Sequence, residues 1–182
     1  MFSRIIEQGG MSMKKMSLIV LGLMLVFLCS CGEKDANVLL EKTGIRYELT
    51  DNNSFYYPKD FKMDLEKEFH DNIVFVRDNE VIKYYKIVNN EDNQVTDLPL
   101  LYEGELEQNG ASHVSFVEKE VDSGLLCYEY VGIYESSGIH FKHIVYFNNE
   151  ATYVLSYEAN KDIFSKNIDE ISAYLNSLVI SQ

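Results

Sequence analysis

From residue 44 to the C-terminus, apolar positions alternate with polar ones, or run together, in stretches of four to ten residues divided by clusters of Asp, Asn, Ser and Gly. That spacing predicts strands. Ile45 to Leu49 and Ser54 to Tyr57 flank Asp51-Asn52-Asn53, and Ile73 to Arg77 and Val81 to Val88 flank Asp78-Asn79-Glu80, so two hairpins are expected. Ser112 to Val121, Leu125 to Tyr134, His140 to Phe147 and Thr152 to Tyr157 follow with short connections, which predicts an antiparallel meander. In three places the period changes to that of a helix. Phe61, Leu65 and Phe69 recur every fourth residue, Leu98, Leu101, Tyr102 and Leu106 do so behind a Thr96 or Asp97 cap, and Phe164, Ile168, Ile171, Leu175 and Leu178 form the longest stripe. The strands at 143–147 and 153–157 are apolar on both faces, so each face of the sheet needs a cover. The expected class is α+β, an antiparallel sheet flanked by helices, in an α/β/α sandwich.

The N-terminal segment follows a different rule. Lys14 and Lys15 precede an eleven-residue apolar run, Leu18 to Leu28, short for a membrane span and right for the core of a signal peptide. The run ends in Leu28-Cys29-Ser30-Cys31, which resembles the lipobox of bacterial lipoproteins. The resemblance implies that Cys31 receives a diacylglycerol, that cleavage falls just before it, and that two acyl chains hold the product in a membrane. Residues 1–30 then form the signal peptide, 31–43 the lipidated N-terminus and linker, and 44–182 the folded domain. Fully extended, the linker reaches at most about 40 Å, unless Val38-Leu39-Leu40 packs onto the domain. Glu7-Gln8-Gly9-Gly10 reads like a translated ribosome-binding site, so translation is expected to start at Met11 or Met13, with residues 1–10 untranslated and a low-GC Gram-positive source.

Within the domain, Ser54-Phe55-Tyr56-Tyr57-Pro58-Lys59-Asp60-Phe61 and the closing Tyr153-Val154-Leu155-Ser156-Tyr157 strand with its helix, ending in Asn176-Ser177-Leu178-Val179-Ile180, resemble the PsbP/Mog1-like fold. Such domains often carry Trp where this chain has Phe61. The resemblance covers roughly 44–181. Its known members include a photosystem subunit, a nuclear-transport factor and many bacterial lipoproteins of unassigned role, so it implies a fold and a location rather than a reaction.

Charge narrows the functions further. The 182 residues carry 16 Lys and Arg against 29 Asp and Glu, a net −13, which argues against nucleic acid as a partner. Residues 1–30 hold Arg4, Lys14 and Lys15 against Glu7 alone, so the chain from Cys31 onward is more acidic still. An anionic surface would repel it, leaving the acyl tether as the membrane contact.

No motif for catalysis, metal or cofactor emerges. His140 and His143 are three apart on a predicted strand and therefore point to opposite faces; no Cys or carboxylate at fixed spacing completes a metal set. His70 and His113 stand alone. Cys127 lies among apolar and aromatic neighbours with no nearby cation, as a buried inert thiol would. Glu103, Glu105, Glu107, Glu118, Glu120 and Asp122 lack the loop a calcium site needs.

The composition is unusual in one respect: 13 Tyr and no Trp. Tyr128, Tyr130 and Tyr134 fall on one face of one strand, a possible binding face if open and an ordinary packed face if a helix covers it. The favoured reading is an extracytoplasmic, membrane-anchored lipoprotein domain without enzymatic activity that binds or scaffolds an envelope protein or a small ligand. The alternative is an envelope hydrolase or accessory enzyme whose site assembles only in three dimensions. Oligomeric state, ligand identity and partner identity are left open by the sequence.

Overall fold

A computed structural model of the chain describes residues 39–66, 72–121 and 123–181. The expectations for the signal peptide, Cys31 and the start codon, together with those for Phe69 and His70, concern residues outside these. Residues 39–43 are helical, with Leu40 buried in the domain and Leu39 53% exposed, while Val38 lies outside the described residues. There follow β1 (Gly44–Glu48) and β2 (Ser54–Pro58), paired antiparallel as a separate two-stranded sheet. Seven strands make the main sheet: β3 (Lys62–Met63), β4 (Ile73–Arg77), β5 (Glu80–Val88), β6 (Ala111–Lys119), β7 (Leu126–Tyr134), β8 (Ile139–Phe147) and β9 (Ala151–Asn160). Helix α1 (Leu98–Gln108) connects β5 to β6, and α2 (Lys161–Leu175) follows β9.

The strand order is β3-β4-β5-β9-β8-β7-β6, antiparallel throughout. β9 lies in the middle, and its residues from Ala151 to Tyr157 are all buried, which is why both of its faces are apolar in sequence. One face packs against α2 and the β1–β2 hairpin through Phe55, Phe75, Tyr157, Phe164, Ile171 and Leu175. The opposite face packs against α1 through Tyr102, Leu106, Tyr130, Phe141, Phe147 and Val154. The α/β/α layering expected from the sequence is present.

Local chemistry sets the element ends. The β4–β5 turn places Asp78 at φ 49, in the left-handed region that Asp and Asn tolerate best among non-glycine residues. Asn160 caps α2, its side-chain oxygen accepting from Ile163 N at 3.1 Å. Asp97 sits at the start of α1 but makes no side-chain cap bond; Pro99 in the first turn and Gly110 at φ +89 just past the end delimit that helix. Its buried stripe is Leu98, Tyr102 and Leu106, whereas Leu101 is 46% exposed.

The helix expected through Phe61, Leu65 and Phe69 is corrected. Lys62 and Met63 form β3 and pair with Val76 and Phe75 of β4, and Leu65 is 71% exposed. A charge-rich helix of some ten residues gains little by itself. Pairing instead satisfies backbone groups on the edge of β4, and Phe61 is buried beneath the Arg77 guanidinium, 4.4 Å from its ring centroid.

That guanidinium belongs to a buried network holding the β4–β5 turn to α2. Glu80, 5% exposed, accepts from Arg77 Nε and Nη2, each at 2.8 Å, from Tyr157 Oη at 2.6 Å and from Asn167 Nδ2 at 2.8 Å. Burial alone would raise the Glu80 carboxyl, but the hydrogen bonds from Arg77, Tyr157 and Asn167 hold it below its usual range. Every acceptor here is engaged, as a structural ion pair requires.

Candidate functional site

The tyrosines singled out by the sequence lie on the α1 side of β7. Tyr128, Tyr130 and Tyr134 share that face, as strand alternation requires, but they do not share an environment. Tyr130 is fully buried, donates to Pro99 O at 2.8 Å and stacks on Phe116 at 5.2 Å, so the first turn of α1 sits on it. Tyr128 is half-buried at one rim with its hydroxyl 3.3 Å from Glu118 Oε2, and Tyr134 is half-buried against Phe141, 4.8 Å between ring centroids. Gly132 between them makes the Phe141 position possible, because a Cβ there would lie 2.5 Å from the ring. Tyr130 supports α1 directly, and Tyr128 and Tyr134 pack at the margins of the same cluster.

Under α1 runs a chain of polar atoms that the sequence did not announce. Tyr85 Oη lies 2.7 Å from Tyr102 Oη, which lies 2.8 Å from His143 Nδ1. Burial raises both tyrosine hydroxyls well above the usual value, and burial with Lys83 nearby pushes His143 down to about 3, so it is a neutral imidazole. His143 Nε2 is buried without a hydrogen-bond partner. His140 lies on the opposite side of the sheet against Phe164 at 5.6 Å, as the alternation predicts. Among the described residues, no three His, Cys, Asp or Glu side chains converge where they could hold a metal ion. Cys127 is 1% exposed, and burial pushes its thiol up to about 11, far from a reactive thiolate.

Beside this chain, the end of the sheet opens. The segment 89–97 after β5 leaves the sheet and returns to start α1. Asn89 anchors it: its Nδ2 donates to Asn148 O, its Oδ1 accepts from Thr152 Oγ1, both at 2.8 Å, and its N donates to Glu150 O at 2.9 Å. Asn90 Oδ1 then accepts from Asp92 N at 3.2 Å, an Asx turn that bends the segment outward.

Between this loop and α1 lies a cleft of about 430 Å³ with Ile87, Leu98, Tyr102 and Phe147 as its apolar lining and Asn90, Asn93, Glu105, Gln108 and Thr152 as polar lining. An adjoining depression of about 700 Å³ shares Val88, Asn89 and Asn93 and adds Val95, Glu91, Gln94, Asn149 and Glu150. A third, of about 200 Å³, continues past Val95 and Phe147 to Leu125 and Leu126. The first two are of the size of ligand sites, with linings that mix apolar side chains and amides. Val88, 80% exposed, and Leu101 add apolar surface to the lining.

The linings carry one sign of charge. Glu91, Glu105 and Glu150 are exposed, and no Lys, Arg or His lines any of the three depressions. Helix α1 presents its C-terminal end here with no basic residue in its last turn, which adds to the negative potential. The only sequence signal of this site is Asn89-Asn90-Glu91-Asp92-Asn93-Gln94, a polar run without a cation.

No protein-family model matches the sequence, and no curated protein matches it either. Solved structures do. A Pseudomonas aeruginosa protein of unknown function aligns over 77% of this chain and 99% of its own at 9% identity and a TM-score of 0.45. The cyanobacterial PsbP protein (CyanoP) of Synechocystis is similar over 76% of this chain and 92% of its own, with 16% identity and a TM-score of 0.55. With the antiparallel sheet and its flanking helices, that likeness gives the chain a PsbP-like fold.

Proposed function

We propose that this protein is a lipid-anchored extracytoplasmic binding domain, held to the membrane through Cys31 and using the cleft between α1 and the 89–97 loop to hold its ligand or partner. The observation that carries the binding part is the cleft itself: an apolar lining, amide donors and acceptors, and exposed Val88 and Leu101 alongside. The anchoring part rests on Leu28-Cys29-Ser30-Cys31 behind an apolar run. An enzymatic reading needs perturbed groups open to a substrate. Here the perturbed groups His143 and Cys127 are each 1% exposed, and Tyr102 is 4% exposed with its hydroxyl engaged by Tyr85 and His143.

Cross-linking in native membranes tests the binding reading. A molecule captured by the wild-type chain and lost in Val88→Arg/Leu101→Arg, which alters exposed side chains only, supports the cleft; equal capture by both overturns it. Palmitate labelling tests the tether, with the label expected on the wild-type chain and absent from Cys31→Ala.

A further inference from the structure

We infer that His143 is an acid-operated latch on helix α1: protonating its imidazole releases α1 from the sheet, which removes one wall of the cleft and uncovers the aromatic surface beneath. The latch is part of the fold itself and needs no ligand in the cleft.

A latch of this kind needs a site with no place for the charge. His143 is 1% exposed and sits in one cross-strand row, Lys83–Ser156–His143–Tyr130, on the α1 face of the sheet. Tyr102 of α1 reaches it, with Oη 2.8 Å from Nδ1, and Nε2 is buried without a partner. A neutral imidazole has one donor and one acceptor, and Tyr102, with Tyr85 behind it, can match either at Nδ1. Once protonated, both nitrogens donate, and Nε2 has no acceptor. The charged and titratable groups around the ring supply no counter-ion. Lys83 of β5 repels the proton, and Glu158 of β9 is bound to that lysine at 2.7 Å. Burial keeps Tyr85 of β5 and Tyr130 and Tyr134 of β7 as neutral phenols, and Glu103 and Glu105 of α1 hydrogen-bond to neither nitrogen. A charge so placed must reach water.

It also needs a cover that can leave. Strands β7 and β9 hold β8 by backbone ladders on both sides, and the reverse face of the sheet carries the α2 core. Helix α1 is fastened by side chains: Leu98, Tyr102 and Leu106, one per turn, and the bond from Tyr130 Oη to Pro99 O. Its N-cap makes no side-chain bond, and it is joined to the strands by the 89–97 segment and by Gly110 at φ +89. Lifting it breaks no strand pairing and brings water to His143. Leu98, Tyr102, Glu105 and Gln108 then leave the cleft lining, and Tyr130, Phe141, Phe147 and Val154 lose their cover. Burial and Lys83 lower the imidazole to about 3 in the docked form against 6.5 in water, so the lifted form takes the proton first. Its population should grow about 25-fold from pH 7 to pH 5.

Hydrogen exchange of the full-length chain in neutral detergent tests the latch, read by mass spectrometry on fragments covering 98–108 and 161–175 and corrected for the intrinsic pH dependence of amide exchange. In wild type, protection of 98–108 is expected to fall about 25-fold from pH 7 to pH 5 and to lie at least about tenfold below that of 161–175 at pH 5. His143→Phe and His143→Gln do not titrate, and the second keeps a hydrogen-bonding side chain towards Tyr102; each should abolish the pH dependence of 98–108. The wild-type imidazole resonances of His143 should report a neutral ring in the folded protein down to pH 5. Four results would overturn the latch: a change below about threefold for 98–108 in wild type; equal protection of 98–108 and 161–175 at both pH values, the mark of whole-domain unfolding; a loss that persists in the histidine variants; or a His143 ring that takes up its proton above pH 5 while 98–108 stays protected.

Discussion

The two faces of the central sheet differ in how completely their polar groups are matched. On the α2 side, Glu80 is enclosed by Arg77, Tyr157 and Asn167, and Lys142 bridges Glu129 and Ser172 at 2.9 and 3.1 Å. On the α1 side the Tyr85–Tyr102–His143 chain ends in an unpaired buried nitrogen, and the adjacent cleft holds carboxylates with no cation. The contrast separates tasks. An enclosed ion-pair network such as that of Glu80 contributes stability and a unique arrangement, while an unmatched buried group such as His143 Nε2 retains capacity to interact with something else.

The largest effect should come from the matched face. Leu175→Ala removes a fully buried side chain between α2 and the sheet and should cost about 2–5 kcal/mol, read as a drop in the urea midpoint. Arg77→Ala leaves the Glu80 carboxylate buried without its cation and should cost about 3 kcal/mol at neutral pH; a loss below about 1 kcal/mol would show that Tyr157 and Asn167 suffice.

Acid should act first on the other face. His143 is neutral in the folded protein, with a value near 3 against 6.5 when unfolded, so the unfolded chain gains the proton first and stability falls as pH drops below about 6.5. By pH 5 the loss should be about 2 kcal/mol. Glu80 contributes in the same direction only at lower pH, because its stabilisation is complete above 4.5 and is lost as pH falls below that. Denaturation curves at pH 7 and 5 for wild type and His143→Phe check this: the difference between the two pH values should largely vanish in the variant. Amide exchange at pH 5 should accelerate in α1 before α2.

Two smaller effects sharpen the contrast. Asn160→Ala removes the α2 cap and should cost about 1 kcal/mol. Leu101→Arg at the cleft should change stability by less than about 0.5 kcal/mol, since an exposed side chain contributes to binding and hardly to folding.

Elements with a strong period were legible before any coordinates. The meander from β6 to β9 and the α2 stripe of Phe164, Ile171 and Leu175 follow directly from alternation and from the 3.6 repeat. The segment after Phe61 misled because three apolar residues four apart mimic a helix when the competing partner, the edge of β4, is distant in sequence. Alternation put Tyr128, Tyr130 and Tyr134 on one face and His140 and His143 on opposite faces, but it carries no information about which side chain a helix will cover. The cleft was illegible for a related reason. Its linings come from 87–98, from Leu101, Tyr102, Glu105 and Gln108 on α1, and from 147–152 around the β8–β9 turn, and no fixed spacing joins them.

The position of β9 sets the order in which this protein can be made. Because residues 151–160 lie between β5 and β8, the sheet cannot close while the nascent chain is shorter than about 160 residues. Until then β5 and β8 both expose open edges, and the halves have no common core. Joining the two halves of the sheet therefore waits until β9 has been made, and until then the strands on either side of it can still be drawn out as extended chain.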